Sequence, residues 1–531
     1  MTSDPKVASS ASPDGLESET HAGSTLDQQE SSPGLERTLR DATLDGVRWL
    51  AYGRVAYEVS AFAALAVLAH LIPPAEYGRV AIALILQSLA IGLTNEGFGN
   101  PLVQRKNVNQ AHLESAALMS VSFGLLLFAL VFVTSRYVIT PLYGSQTTHL
   151  VRLASVMFPI YSLAVVPEAI LMRKLDFRRV TIADNASAVV GFALSIGLAL
   201  LGLGGSAIVI GYTVAAGFNV LILLTWVRMP KLKWHRREAR EVTRYGAPAS
   251  MAGLAYLSVQ NVDNVLVGAR LGAASLGLYY RAFALGVNNQ LKIGSILMKV
   301  AFPSLSRSAD QAQMQRMRDR MTRLNATVIV PLLAILAVTA PRLIPFVLGP
   351  HWKLAAVPTQ ILAIAGVATC LTYCAYPFLL ASGHPRSVLS LNIAQFFVYG
   401  AGILITLPYG LHAVCVSVVV TNSIMMLAVY IVMARLTNLP LRRLWHDSAP
   451  AVTCSAGMTV STIPLMHALS HSDLPTVVVL GIVGAAAAVI YSVALRTFFR
   501  PTFDDVLMVL CRVLGKEKAS GASSLPEPTP A

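Results

Sequence analysis

Apolar residues fall along this chain in long unbroken blocks, and each block is cut off by a short polar loop. A block of ~20 mostly apolar residues is long enough to cross a bilayer core as a helix. Lipid offers no partners to free backbone groups, so spans of this kind come as helices. The pattern predicts about fourteen spans, at roughly 46–71, 79–100, 113–135, 149–171, 180–203, 205–227, 244–271, 275–302, 324–345, 354–382, 387–408, 410–434, 448–469 and 475–497. The fold class expected is all-α, a polytopic membrane protein with almost no soluble part.

Basic residues fall in every second loop. Loops after even-numbered spans hold about 22 of them, with dense runs at 173–179, 228–244 and 307–323. Loops after odd-numbered spans hold about five: Arg79, Arg136, Arg270, Arg342 and Lys353. An excess of that size sets the basic loops, and with them both termini, in the cytoplasm. The location expected is the bacterial inner membrane.

Composition agrees. The chain has 531 residues, 55% hydrophobic and 13% charged, with a mean hydropathy of +0.60. A soluble domain carries about twice that charged fraction. The formal net charge of +14 would suggest nucleic acid in a soluble protein. Here the basic residues sit at span ends, where they act as topology signals and contacts to anionic lipid, so no nucleic-acid partner is expected. Cys370, Cys374, Cys415, Cys454 and Cys511 lie in or beside apolar spans. No His or carboxylate is spaced to join them, so they read as inert thiols, and neither metal nor cofactor is expected.

The ends are a different material. Residues 1–45 are rich in Ser, Glu, Asp, Pro and Gly, lack an apolar secretory core, and are expected to be a disordered cytoplasmic tail. The stretch beyond Lys518 reads the same way, within a cytoplasmic tail of 498–531. Between them the expected divisions are an N-lobe of spans 1–6 (46–230), a basic linker (231–243), a C-lobe of spans 7–12 (244–435) and spans 13–14 (448–497).

Loop size excludes functions. The non-basic loops are tight turns, such as Gly202 to Ser206 and Pro408 to Leu411, too small for the outer catalytic loop of a membrane polymerase or ligase. The basic loops cannot hold a nucleotide-binding domain, and no G-x-x-x-x-G-K-[ST] loop occurs. Transport without catalysis is what remains, so the chain is not expected to be an enzyme. An internal repeat agrees with transport. Spans 1–2 and 7–8 match at an offset of about 200 residues, with Gly46 on Gly246, Gly53 on Gly253 and Leu71 on Leu271. The turn Pro74-Ala-Glu-Tyr-Gly78 then mirrors Ala273-Ala-Ser-Leu-Gly277, and Asp184-Asn185 is echoed at Leu391-Asn392. An offset of six spans keeps both halves in one orientation, as parallel repeats about the membrane normal. Two six-helix lobes around a central cavity are expected, with two extra helices.

Several stretches carry a family resemblance: Pro167-Glu-Ala-Ile-Leu-Met-Arg-Lys-Leu-Asp-Phe-Arg-Arg179, Asn264-Val-Leu-Val-Gly-Ala-Arg-Leu-Gly272 running into Leu276-Gly-Leu-Tyr279, Phe302-Pro-Ser-Leu-Ser306, and Glu96-Gly-Phe-Gly99 with Leu102-Val-Gln-Arg105. Their order and spacing resemble the polysaccharide transporter, or oligosaccharide flippase, branch of the multidrug/oligosaccharidyl-lipid/polysaccharide exporter superfamily, over roughly residues 45–500. The resemblance implies a fourteen-helix flippase that moves lipid-linked oligosaccharide repeat units between leaflets for exopolysaccharide, capsule or O-antigen assembly. The assembly's polymerase and chain-length proteins are candidate partners beside membrane lipids. A drug antiporter of the same superfamily and a non-transporting scaffold are the rival readings.

A polyprenyl pyrophosphate bearing sugars must carry its headgroup through a layer where unpaired charge costs several kcal/mol. Ionisable residues inside spans are therefore the candidates. Arg54 and Glu58, four apart on span 1, share a face and can pair; separately, Arg54 would bind an anion and Glu58 carry a proton. Arg281 and Lys292, eleven apart on span 8, point the same way and form a basic stripe suited to pyrophosphate; Lys299 snorkels. Asn289 and Gln290 are candidates for sugar hydroxyls. Asp263, with Gln260, Asn261 and Asn264, is a polar cluster on span 7 with Arg281 or Arg270 as expected partner and a coupling role. Glu168 and Asp184 are expected to pair locally with the basic 173–179 loop. His70, His112 and His412 read as membrane-interface residues. Pro248, Pro331 and Pro377 are expected kinks. Met314, Met317 and Met321, interleaved with Arg316, Arg318 and Arg320, predict an amphipathic helix lying on the cytoplasmic leaflet.

Overall fold

The computed structural model describes residues 33–288 apart from 106, 311–437, and 441–513 apart from 473. These residues are helical almost throughout, with no strand among them. Eleven helical segments among them are long and apolar enough to cross a membrane. They coincide with the expected spans except for 7, 8 and 13. Spans 7 and 8 form one helical run, Arg236–Phe283, whose charged start and reversal at Gly272 (φ +83) interrupt its apolar length. Span 13, Leu441–Ser470, is rich in Ser and Thr. Thr453, Thr459, Ser461 and Thr462 turn their hydroxyls back onto carbonyls of their own helix, which keeps those groups satisfied in an apolar setting.

The helix that carries span 1 begins at Pro33, earlier than expected, and its apolar crossing segment is Tyr52–Leu71. Residues 33–45 are therefore helix and not disordered tail. No proline and no glycine interrupts the stretch between Gly34 and Gly46, so helix propagates backwards from the span once it has formed. The tail residues 1–32 and 514–531 lie outside the described residues. The C-terminal segment also starts ordered, as the amphipathic helix Arg500–Val513.

The end of span 1, the start of span 2, the starts of spans 4 and 6 and the end of span 5 lie together with the beginning of span 8, the end of span 9 and the start of span 10. They share one hydrophobic core that includes Leu68, Ile72, Tyr77, Val80, Met157, Ile208, Leu278, Ile344, Leu348 and Trp352. All these ends border non-basic loops. The two lobes are thus welded on the side opposite the basic loops. Trp352, fully buried, donates its indole N–H to the carbonyl of Ala69 at 2.9 Å and meets the Tyr77 ring edge-on at 5.3 Å. The two repeat-related turns touch at their glycines. A Cβ on Gly78 would strike the carbonyl of Ala273, and one on Gly277 would strike that of Pro74.

The basic side is held by polar contacts. Arg105 after span 2, His112 at the start of span 3 and Glu241 before span 7 form one network, with Glu241 also reached by Arg237 at 3.2 Å. Arg173 after span 4 donates to the carbonyls of Leu102 (2.7 Å) and Arg105 (2.6 Å). His112 is thus a buried latch residue, not the membrane-interface residue expected. Spans 2 and 7 also touch here, since a Cβ on Gly246 would strike the carbonyl of Gly97.

The helix expected on the leaflet surface at 303–323 is instead the first part of span 9, Gln311–Leu348; residues 303–310 lie outside the described residues. Its methionines Met314, Met317 and Met321 pack against the C-lobe core. Arg318 is buried because carboxylates meet it: Asp319 beside it and Asp447 of span 13 at 3.7 Å. A charge that finds partners can leave the surface, and this pattern looks amphipathic in sequence for that reason. Pro248 and Pro331 lie inside helices, and Pro377 in the short helix Ala375–Ala381 that ends span 10.

Gly78→Val should force the two turns apart. In a background with Ile72→Cys, a position 1% exposed in the intact chain, alkylation by a membrane-impermeant maleimide should rise severalfold; unchanged labelling would show that the weld does not depend on this contact.

Candidate functional site

A chamber of about 510 Å³ opens within the N-lobe, lined by spans 1, 2, 4, 5 and 6. Its walls include Arg54 and Tyr57 of span 1, Gln87, Thr94 and Asn95 of span 2, Tyr161 and Glu168 of span 4, Asp184, Asn185 and Phe192 of span 5, and Tyr212 and Asn219 of span 6. The volume falls in the range of ~300–1,000 Å³ typical of ligand sites. Most of these residues lie towards the basic side, and the welded core closes the other end. The described lining thus comes from one lobe of the expected pair, span 8 beyond Asn288 lying outside the described residues.

Small residues let the walls stand close while leaving the hollow. Gly53 of span 1 lies on Thr181 of span 5, and Gly191 and Gly211 bring spans 5 and 6 together where a Cβ would collide. Such contacts are how helices approach without a hydrophobic drive from water. The polar side chains between them are mostly turned to partners. Gln87 donates to the Tyr161 hydroxyl at 2.8 Å, Asn219 to Asp184 at 3.0 Å, and Asn185 to the Thr181 carbonyl at 2.9 Å. Arg54 pairs with Glu58 at 2.8 Å, as its spacing predicted, and lies 5.7 Å from the centre of the Tyr57 ring.

Glu168 and Asp184 depart from expectation. Neither pairs with the 173–179 loop; Arg179 takes Asp176 instead, at 3.3 Å. Both carboxylates face the chamber. Asp184 accepts only the Asn219 amide, and Glu168 has no hydrogen bond or ion pair among the described residues. The nearby arginines are taken elsewhere, Arg173 by the carbonyls of Leu102 and Arg105 and Arg178 and Arg179 by the rings of Trp49 and Trp226, so nearness along the chain does not become contact. Asp184-Asn185 within an apolar helix was the available signal. Tyr57, Tyr161 and Tyr212 gave none, because aromatic residues in spans look alike whether they face lipid or a hollow.

Arg281 stands apart from the chamber's carboxylates. Its guanidinium lies over the Tyr77 ring at 4.3 Å and near Tyr280 at 5.6 Å, and its Nε is buried without a hydrogen-bond partner. Tyr212, at the chamber wall, lies within its electrostatic reach. Lys292, Lys299, Asn289 and Gln290 lie outside the described residues. Asp263 is 1% exposed, and neither Arg281 nor Arg270 meets it. It accepts hydrogen bonds from the hydroxyls of Tyr279 (2.7 Å) and Tyr399 (3.1 Å) and from Asn264. Arg281 lies more than two helical turns from the tip of the hairpin and is drawn to the span 2 aromatic face, whereas Tyr279 is one helical face away and turns inward. On the basic side, outside the spans, hydrogen bonds from His112 and Arg105 hold the Glu241 carboxyl far below its ordinary range, at about 2.

Among the described residues, then, bilayer-length helices form two lobes joined on one side, with a polar hollow inside the N-lobe. The chain belongs to the polysaccharide biosynthesis protein family, which it matches over residues 67–357. Among characterised relatives it is 21% identical to the lipopolysaccharide biosynthesis protein WzxC of Escherichia coli (strain K12), over 69% of this chain and 76% of that one. It is 25% identical to the teichuronic acid biosynthesis protein TuaB of Bacillus subtilis (strain 168), over 69% and 77%. Of solved structures, the lipid II flippase MurJ in its inward closed conformation superposes with a TM-score of 0.67 at 12% identity, covering 86% of this chain and 99% of that one. An inward-facing multidrug resistance MATE family transporter of the MOP superfamily gives 0.58 at 15% identity, covering 72% and 94%.

Asp263→Leu should strip two buried tyrosine hydroxyls of their acceptor and destabilise the C-lobe by about 1–3 kcal/mol for each. Asp263→Asn keeps an acceptor and should cost less. Thermal unfolding in lipid nanodiscs separates the two; equal melting points for the variants would contradict the assignment.

Proposed function

We propose that this protein is a flippase that carries lipid-linked oligosaccharide repeat units, on a polyprenyl pyrophosphate, from the cytoplasmic to the periplasmic leaflet of the bacterial inner membrane. The units would feed exopolysaccharide, capsule or O-antigen assembly. The basic side faces the cytoplasm on this reading, with both termini there, and the protein is a carrier without catalysis of its own. Polymerase and chain-length proteins of the assembly are its protein partners.

One observation carries the reading: a polar chamber within a bilayer-crossing fold, sealed on the side opposite the basic loops by a core shared between the lobes. A headgroup entering from the cytoplasm would find side chains that replace water, while its polyprenyl chain stays in lipid. Separation of Gly78 from Gly277 and withdrawal of Trp352 would then open the far side, and alternation between the two states moves the headgroup. The relatives WzxC and TuaB, named for lipopolysaccharide and teichuronic acid biosynthesis, and the fold of the lipid II flippase support it.

Roles follow the charges. Arg281, with an unpartnered donor and no carboxylate beside it among the described residues, is the phosphate-binding group. Arg54 is already matched by Glu58, so it would bind an anion only when that pair opens, and Glu58 would then be free to take a proton. Asp263, buried among hydroxyl donors, is the coupling carboxylate: loading it with a proton would remove a charge from the lobe that moves. Lys292, Asn289 and Gln290 complete the substrate path on span 8.

Deletion of the gene should leave a lipid-linked oligosaccharide on the cytoplasmic leaflet. Complementation with Arg281→Ala should restore less than about a tenth of export, since removing one charged contact to phosphate typically costs ~1.5–3 kcal/mol, and Arg281→Lys should restore more. Full export by Arg281→Ala, at normal protein levels, would favour a scaffold that transports nothing.

A further inference from the structure

We propose that the N-lobe chamber reads the sugars of the substrate and selects neutral or amine-bearing residues over those carrying carboxylates or phosphates, with Glu168 and Asp184 as the specificity-determining side chains. This rests on the flippase reading above and adds to it the chemical class of the headgroup. The chamber's charge balance is the starting point. Its cation, Arg54, is already matched by Glu58 at 2.8 Å, whereas Glu168 and Asp184 have no cationic partner among the described residues. A headgroup entering the chamber therefore meets two carboxyl groups with no cation set against them among the described residues.

Hydrogen-bonding capacity points the same way. A carboxylate only accepts. The amides of Gln87, Asn185 and Asn219 each donate one N–H to a neighbour in the wall, which leaves each a carbonyl oxygen and one N–H for a ligand, so the two carboxyl groups tip the balance toward acceptors. The wall is thus rich in acceptors, and its complement is a ligand rich in donors: sugar hydroxyls or an ammonium group. Tyrosine rings among these groups supply flat apolar surface for the C–H faces of a pyranose. A uronate would bring a further charge beside Glu168 and Asp184, and like charges placed together at a recognition site cost several kcal/mol. Phosphate is disfavoured in the chamber for the same reason and falls to Arg281, whose guanidinium is held over Tyr77 away from these carboxylates.

The test uses the full chain in lipid nanodiscs and three probes of equal length: a glucosamine tetramer, cellotetraose and a galacturonic acid tetramer, with binding read by calorimetry. The glucosamine tetramer and cellotetraose should bind at least about tenfold more tightly than the uronate, a modest share of the cost of like-charge contact. In Glu168→Gln/Asp184→Asn that ratio should fall to within about threefold, and an unchanged thermal unfolding midpoint in nanodiscs shows that the double variant is folded. Glu168→Gln alone should give an intermediate ratio. A uronate that binds the unaltered chain as tightly as cellotetraose, or a double variant that keeps the full ratio, would overturn this inference and leave the flippase reading intact. Failure of all three probes to bind would overturn this inference, while the flippase reading stands or falls separately on the lipid-linked oligosaccharide left on the cytoplasmic leaflet.

Discussion

Gly78 and Gly277 meet because neither carries a Cβ, and through that contact the two lobes close on the side opposite the basic loops. A single methyl at either position would strike backbone, which cannot give way as a flexible side chain can. Around this point the shared core assembles, with Trp352 inserted against Ala69 and Tyr77. The two glycines are also equivalents in the internal repeat. Equivalent residues of two like-oriented halves can touch each other only on the axis that relates them. The contact therefore marks the pseudo-twofold axis, and the seal lies where a symmetric pair of lobes can part most evenly.

The two sides of the molecule are closed by different physics. Opposite the basic loops the joint is apolar and tightly packed, so its strength depends on shape. On the basic side Glu241 gathers Arg105, Arg237 and His112, and partly exposed ion pairs of this kind contribute little each and weaken with salt. A dry, shape-dependent joint and a wet, charge-dependent one respond to different signals. Between them lies a hollow whose carboxylates would be expensive in lipid and are tolerable because they face polar space.

Much of the fold was legible because its two strongest determinants, apolar run length and the alternation of basic loops, are written in consecutive residues. The repeat at Gly78 and Gly277 was legible for the same reason. The Arg54–Glu58 pair was found because helical geometry makes residues four apart neighbours. The chamber is not legible in the sequence, because its wall is shared among five spans and nothing local distinguishes Tyr161 or Asn219 from residues that face lipid. Glu168 and Asp184 were misassigned because nearness along the chain to Arg178 and Arg179 stood in for nearness in space. Arg318 was read as a surface residue because its partner Asp447 lies more than a hundred residues away.

The first helix, Pro33–Leu71, contains 39 residues. At 1.5 Å per residue that is roughly 58 Å, nearly twice the ~30 Å of a hydrocarbon core. Some of it must project into the aqueous phase as a stiff rod, continuous with a wall of the chamber. A rod rooted in a moving bundle works as a lever: a small tilt of span 1 within the bilayer sweeps the far tip through a wider arc. On the flippase reading, a headgroup that shifts span 1 would also displace this tip in water, at a distance where soluble proteins could sense it.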